Sequence, residues 1–146
     1  MTRFREKIRL LERRLGLLEQ YQSECCGLSL SQCHALVEIG RASLLSPGDL
    51  AQRLGLDKST ISRIVDSLVS SGKVHREEHP EDRRVIQLSL TEGGRRTFEH
   101  IEREMNRQYH EVLSAIPEEK QTQVLESIEV LLEVLPNIRC CGGTTV

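Results

Sequence analysis

Aromatic side chains are scarce in this sequence, which has no Trp, two Phe and two Tyr among 146 residues. Single-stranded nucleic acid is held largely by stacking bases on aromatic rings, so the composition counts against that mode of binding. Long apolar runs are also missing, and no stretch approaches the ~20 consecutive apolar residues that span a bilayer. The opening residues, MTRFREKIRLLERR, alternate charge with apolar side chains instead of building the apolar core of an export signal, which predicts a cytoplasmic protein. There is no glycine-rich, phosphate-cradling loop. An enzyme would need a nucleophile with a positioned base. Cys33 beside His34 does not supply one, because neighbouring residues on a helix point apart. His100 and His110 lie ten residues apart and form no i, i+4 metal pair, while His75 and His79 flank a hairpin tip, where solvation or phosphate contact is expected.

What is present is an ordinary soluble composition, 38% apolar and 29% charged, enough for one domain with its own core. The net charge of −2 is unevenly spread. Residues 1–24 carry six basic and four acidic side chains, 47–91 carry seven of each, and 92–146 carry six against ten. A DNA-binding face in the middle needs only local segregation of its basic residues, so the total neither supports nor excludes one.

Helix signals follow one another along the chain. Phe4, Ile8, Leu11, Leu15 and Leu18 repeat at spacings of four and three, with Leu10 and Leu17 widening the stripe, which predicts a first helix ending near Gly27. Ser29 and Gln32 form a capping box for a second helix, whose inward face carries Cys33, Leu36 and Val37. Ser46 and Pro47 open a short third helix that ends at Gly55, and Asp57 caps a fourth that stops at Gly72. Two helices joined so tightly predict a helix-turn-helix. The period then changes to two, with Val74 and Arg76, a polar tip HPEDR, and Val85, Ile86, Leu88 and Leu90, a β-hairpin. Thr91 caps a long helix from Glu92 with a stripe of Phe98, Ile101, Met105, Tyr109, Val112 and Ile116. Pro117 opens a last helix, with Val124, Leu125, Ile128, Leu131, Leu132 and Leu135, before Pro136.

The expected fold is mainly α with a small β-hairpin wing. It is a winged helix-turn-helix (29–91) flanked by N- and C-terminal dimerisation helices (1–24 and 92–136), with a flexible Cys-containing tail (137–146). The stripes of the flanking helices exceed what a small core can cover, so their partner is expected to be a second copy. Such a fold lays the fourth helix in the DNA major groove and the hairpin tip in a minor groove. That helix offers Lys58, Ser59, Thr60, Ser62, Arg63 and Asp66 opposite its apolar stripe. Hydroxyls in its first turn suit phosphates and base edges, and Arg63 suits guanine. At the wing, Arg83 and Arg84 suit a narrow minor groove, and Asp82 can hold one of them in position. The alternative is a winged helix used only for protein contacts; against it, the fourth helix shows no outward apolar residue to anchor a protein partner.

LAQRLGLDKSTISRIVDSLVSSGKV followed by DRRVIQLSLT resembles the MarR family of bacterial transcriptional regulators, with the wing pattern D-x-R…L-T on Asp82, Arg84, Leu90 and Thr91. The resemblance implies that residues 1–146 form one MarR-like domain. It further implies an intertwined homodimer, a pseudo-palindromic double-stranded operator, and repression relieved by an effector. On that pattern Arg84 is the wing-tip arginine, and Ser59, Thr60 and Arg63 contact DNA.

The five cysteines, Cys25, Cys26, Cys33, Cys140 and Cys141, lack C-x-x-C spacing and, without an export signal, predict free thiols, redox chemistry or metal ligation. Cys33 is expected to pack in the core. Cys25 and Cys26 fall at the junction of the first two helices, where adjacent thiolates in a loop can chelate a soft ion. Cys140 or Cys141 would add a third ligand, and His34 or Glu24 a fourth for zinc. The expected effector is a thiophilic metal or metalloid (arsenite-like, lead, mercury, copper, zinc). Thiol oxidation and a small phenolic ligand are the alternatives.

Overall fold

In the computed structural model, residues 1–80, 82 and 84–135 are described, and over 17–26 the backbone alone. The element order is α1 (Thr2–Cys26), α2 (Leu30–Ala42), α3 (Pro47–Leu54), α4 (Lys58–Ser70), β1 (Val74–Glu78), β2 (Ile86–Leu90), α5 (Glu92–Ser114) and α6 (Glu118–Val134). This is the winged-helix order expected from the sequence.

Local chemistry accounts for the boundaries. Gly27 ends α1 in the left-handed conformation at φ 65°. The capping box at α2 is complete: the Gln32 N–H donates to Ser29 Oγ at 3.3 Å, and the Ser29 N–H donates to Gln32 Oε1 at 2.8 Å. Ser46 Oγ accepts from the Asp49 N–H at 3.0 Å to start α3, and Gly55 at φ 63° ends it. Ser43, at φ 65°, makes a tight reversal in which the Leu44 N–H donates to the Ala42 carbonyl at 2.8 Å. That turn delivers Leu45 to the wing, where it exchanges both main-chain bonds with Leu88 at 2.8 and 3.1 Å. The period-two reading did not include this third strand-like contact, because Leu45 stands alone without an alternating run.

The chain divides into two compact units, Met1–Glu104 and Met105–Val146. The first holds the buried core: Leu36 and Ile39 from α2, Leu50 from α3, Ile61, Val65 and Leu68 from α4, and Leu88 from β2 are its largest fully enclosed side chains. Cys33 is buried there, as expected for a small packing thiol. Val74 pairs with Leu90 and Arg76 with Leu88 in the antiparallel hairpin. Two glycines permit close approach: a Cβ on Gly40 of α2 would lie 2.5 Å from the Phe98 ring of α5, and one on Gly94 would lie 1.9 Å from the Lys73 carbonyl. Thr91 both accepts from the Gly94 N–H at 2.9 Å and donates to the Gly72 carbonyl at 2.6 Å, so it caps α5 and ties it to the turn that follows α4.

In the second unit Gln121 Nε2 donates to the Leu113 and Ile116 carbonyls at 3.2 and 3.1 Å, satisfying the open end of α5. No residue of α6 is buried. Leu125, Ile128 and Leu132 are exposed there, as is Leu135 just beyond its end, and on α1 so are Phe4, Leu11 and Leu15. No helix among the described residues is long and apolar enough to cross a membrane.

Candidate nucleic-acid interface

Four inward residues orient α4: Ile61, Ile64, Val65 and Leu68 are buried. Side chains about half a helical turn away must therefore face solvent, and Lys58, Ser59, Arg63 and Asp66 are exposed while Thr60 and Ser62 are half-buried. One outward apolar residue runs against the sequence reading. Val69 is 38% exposed, but it lies in the last turn, away from the hydroxyl and basic groups of the first two.

The start of α4 is organised by Asp57. Its carboxylate accepts from Ser59 Oγ at 2.5 Å, from Thr60 Oγ1 at 2.6 Å and from the Thr60 N–H at 2.9 Å. These bonds, the Ser59 hydroxyl foremost and then the Thr60 hydroxyl and N–H, hold the Asp57 carboxyl far below the usual carboxylate range. Residue type alone leaves both hydroxyls able to contact phosphates or base edges. In the structure their protons are committed to Asp57, whose negative charge also sits on the positive end of the helix dipole. Arg63 folds back along the helix, its Nε donating to the Ser59 carbonyl at 3.4 Å, which brings its guanidinium beside Ser59.

Two links between distant segments set the pose of α4. Gln32 Nε2 donates to Ser67 Oγ at 2.7 Å, joining the start of α2 to α4. Arg76 of β1 pairs with Asp66 at 2.8 Å, compensating the carboxylate on the outward face. In the sequence the one sign of this pair is opposite charge on consecutive elements.

At the wing tip the Val85 N–H donates to the Asp82 carbonyl at 2.9 Å, and the Arg84 N–H donates to Asp82 Oδ1 at 3.0 Å. The bond seen at Asp82 thus shapes the turn through the main chain, where the sequence reading had it hold a guanidinium. Arg84 is exposed; Arg83 lies outside the described residues.

Helix α1 continues through Cys26, so Cys25 and Cys26 belong to its last turn and not to a loop. Their side chains, that of Glu24, and all of Cys140 and Cys141 lie outside the described residues. His34 is exposed on α2. Among the described residues no three His, Cys, Asp or Glu side chains are grouped to hold a metal ion.

Residues 27–85 match the model of the MarR family. The chain is 30% identical to the HTH-type transcriptional regulator BilQ of Clostridium symbiosum over 105 residues, 72% of this chain and 73% of the relative. It is 29% identical to the multiple antibiotic resistance protein MarR of Escherichia coli over 120 residues, 82% of this chain and 81% of that one. In fold it is similar to Streptococcus pneumoniae FabT in complex with DNA, with a TM-score of 0.81 at 21% identity, covering 92% of this chain and 98% of FabT. The matched segment contains the Asp57 cap, α4, β1 and the wing tip, and together with these relatives it shows that the chain belongs to the MarR family of helix-turn-helix transcriptional regulators, which are DNA-binding proteins and not enzymes.

Proposed function

We propose that this chain is a repressor that binds a pseudo-palindromic double-stranded operator as a homodimer and is released when its cysteine thiols take up a thiophilic metal or metalloid. The observation that carries the DNA reading is the outward face of α4, with Lys58, Ser59, Thr60, Ser62 and Arg63, next to a hairpin that exposes Arg84. Asp82 shapes the turn that presents Arg84, and Arg83 precedes it in the sequence as a second cation. FabT, which shares this fold, is bound to DNA in its structure. The homodimer is supported by the uncovered apolar side chains of α1 and α6, whose burial against a second copy would remove them from water.

The thiol reading rests on the sequence. Cys25 and Cys26 end α1 just before α2 begins the reading domain, and Cys140 and Cys141 sit on the tail. An ion bound there would alter the separation of two reading helices whose spacing the duplex dictates. Thiol oxidation or a small phenolic ligand would act through the same displacement.

Mobility shift and sedimentation test the proposal. The chain should sediment as a dimer, bind a duplex selected from a random pool with nanomolar affinity and steep salt dependence, and weaken roughly tenfold or more in Arg63→Ala and in Arg84→Ala. Arsenite, lead, zinc or peroxide should release the duplex. A Cys25→Ser, Cys26→Ser double variant that responds normally to all of them removes the thiol reading in favour of an organic ligand. A monomer indifferent to every duplex removes the DNA reading.

A further inference from the structure

Resting on the DNA reading above, we infer that Asp57 is a positioning residue that makes Ser59 and Thr60 hydrogen-bond acceptors toward DNA, so that these two hydroxyls read amino groups of bases and do not clamp phosphates. The argument is one of proton counting. A hydroxyl has one proton to donate and two lone pairs to accept with, and an ionised carboxylate can only accept. Because both hydroxyls lie within 2.6 Å of Asp57 oxygens, both protons must point at Asp57. What Ser59 and Thr60 can turn outward is lone pairs. Phosphate oxygens need donors, and the same carboxylate repels them.

In the major groove the groups that seek acceptors are the 6-amino group of adenine and the 4-amino group of cytosine. Ser59 is the exposed member of the pair, and Arg63, one turn on, is drawn beside it by its bond to the Ser59 carbonyl. Arg63 carries donors alone. The face therefore sets an acceptor next to a donor fork, which suits a cytosine amine and the oxygen and nitrogen edge of a guanine.

The test uses the full chain and a duplex that it selects from a random pool. Adenines are replaced one at a time by purine, which lacks the 6-amino group, and cytosines by the pyrimidinone lacking the 4-amino group. Loss of one amine in each half-site should weaken wild-type binding roughly tenfold, and the Ser59→Ala variant should show no further loss on that duplex. Asp57→Asn keeps a capping side chain but offers a single acceptor oxygen, which frees a hydroxyl proton and removes the charge. It should bind unselected duplex several-fold more tightly, with a steeper salt dependence and a smaller preference for the selected sequence. If no amine replacement matters, or if Asp57→Asn, folded by circular dichroism, keeps the wild-type preference and salt slope, the inference is wrong. A wild-type chain that selects no duplex refutes the DNA reading itself.

Discussion

Replacing Gly94 by Ala should separate two effects that normally oppose each other at a helix start. Alanine favours helix over glycine by about 1 kcal/mol, so on propensity alone the variant gains. The added Cβ, however, would stand 1.9 Å from the Lys73 carbonyl oxygen and 2.9 Å from its carbon, and ordinary contact begins near 3.4 Å, so the groups must part by about 1.5 Å. That carbonyl is not free to yield, because it accepts from the Thr91 N–H at 3.0 Å. Thr91 in turn holds the Gly94 N–H at 2.9 Å and the Gly72 carbonyl at 2.6 Å. Parting the two segments stretches all three bonds, at about 1 kcal/mol each, on top of an overpacking cost of about 1–3 kcal/mol. Net of the propensity gain, we expect a loss of about 3–5 kcal/mol and a fall in Tm of roughly 6–20 °C. Gly93→Ala is the control: its Cβ would be 3.5 Å from the Gly72 carbonyl, an ordinary contact, so it should be neutral or stabilising by about 0.5 kcal/mol. The assay is thermal unfolding of both variants at one fixed protein concentration. A Gly94→Ala protein that melts with the wild type, or two variants that move together, would refute the close approach of α5 to the Lys73 carbonyl.

Three further outcomes follow from named contacts. The Asp57 carboxyl is held below its unfolded value, so its contribution to stability is complete above the ordinary carboxylate range and is lost as pH falls through and below about 4; acid unfolding of Asp57→Asn should lack that part, and coincident pH profiles would contradict it. Arg76→Ala leaves the Asp66 carboxylate uncompensated on the outward face, so at about 0.1 M salt operator affinity should drop roughly tenfold with the salt slope reduced by about one. Adding Asp66→Asn should restore most of the loss, and affinity unchanged in the single variant would show that this pair does not face the duplex. Leu132→Glu, at a site 63% exposed, should leave helical content intact but shift sedimentation toward single subunits; an unaltered dimer would place the contact elsewhere.

Much of the fold was legible because its signals are local. The capping box Ser29/Gln32, Ser46 with Pro47, Gly55, Asp57 and Thr91 act on main-chain groups within a few residues, so the helix limits they mark can be read without knowing what packs where. The apolar periods of α2 and α4 likewise named the buried faces, since 3.6 residues per turn leaves no freedom in which side chains share a side. The uncovered stripes on α1 and α6 were visible for the same reason.

Element order, the inward faces, the polar outward face of α4 and the family pattern around the wing are thus written in the order of the residues. Tertiary structure decided what those polar groups do. Whether Ser59 and Thr60 donate or accept depends on the rotamers that bring both onto one carboxylate, and residue type alone leaves a hydroxyl able to do either. The Arg76–Asp66 pair, the Gln32–Ser67 bond and the exchange between Leu45 and Leu88 join residues 10, 35 and 43 positions apart. Partners at such separations are chosen by how the core packs, through contacts that no run of neighbouring residues encodes.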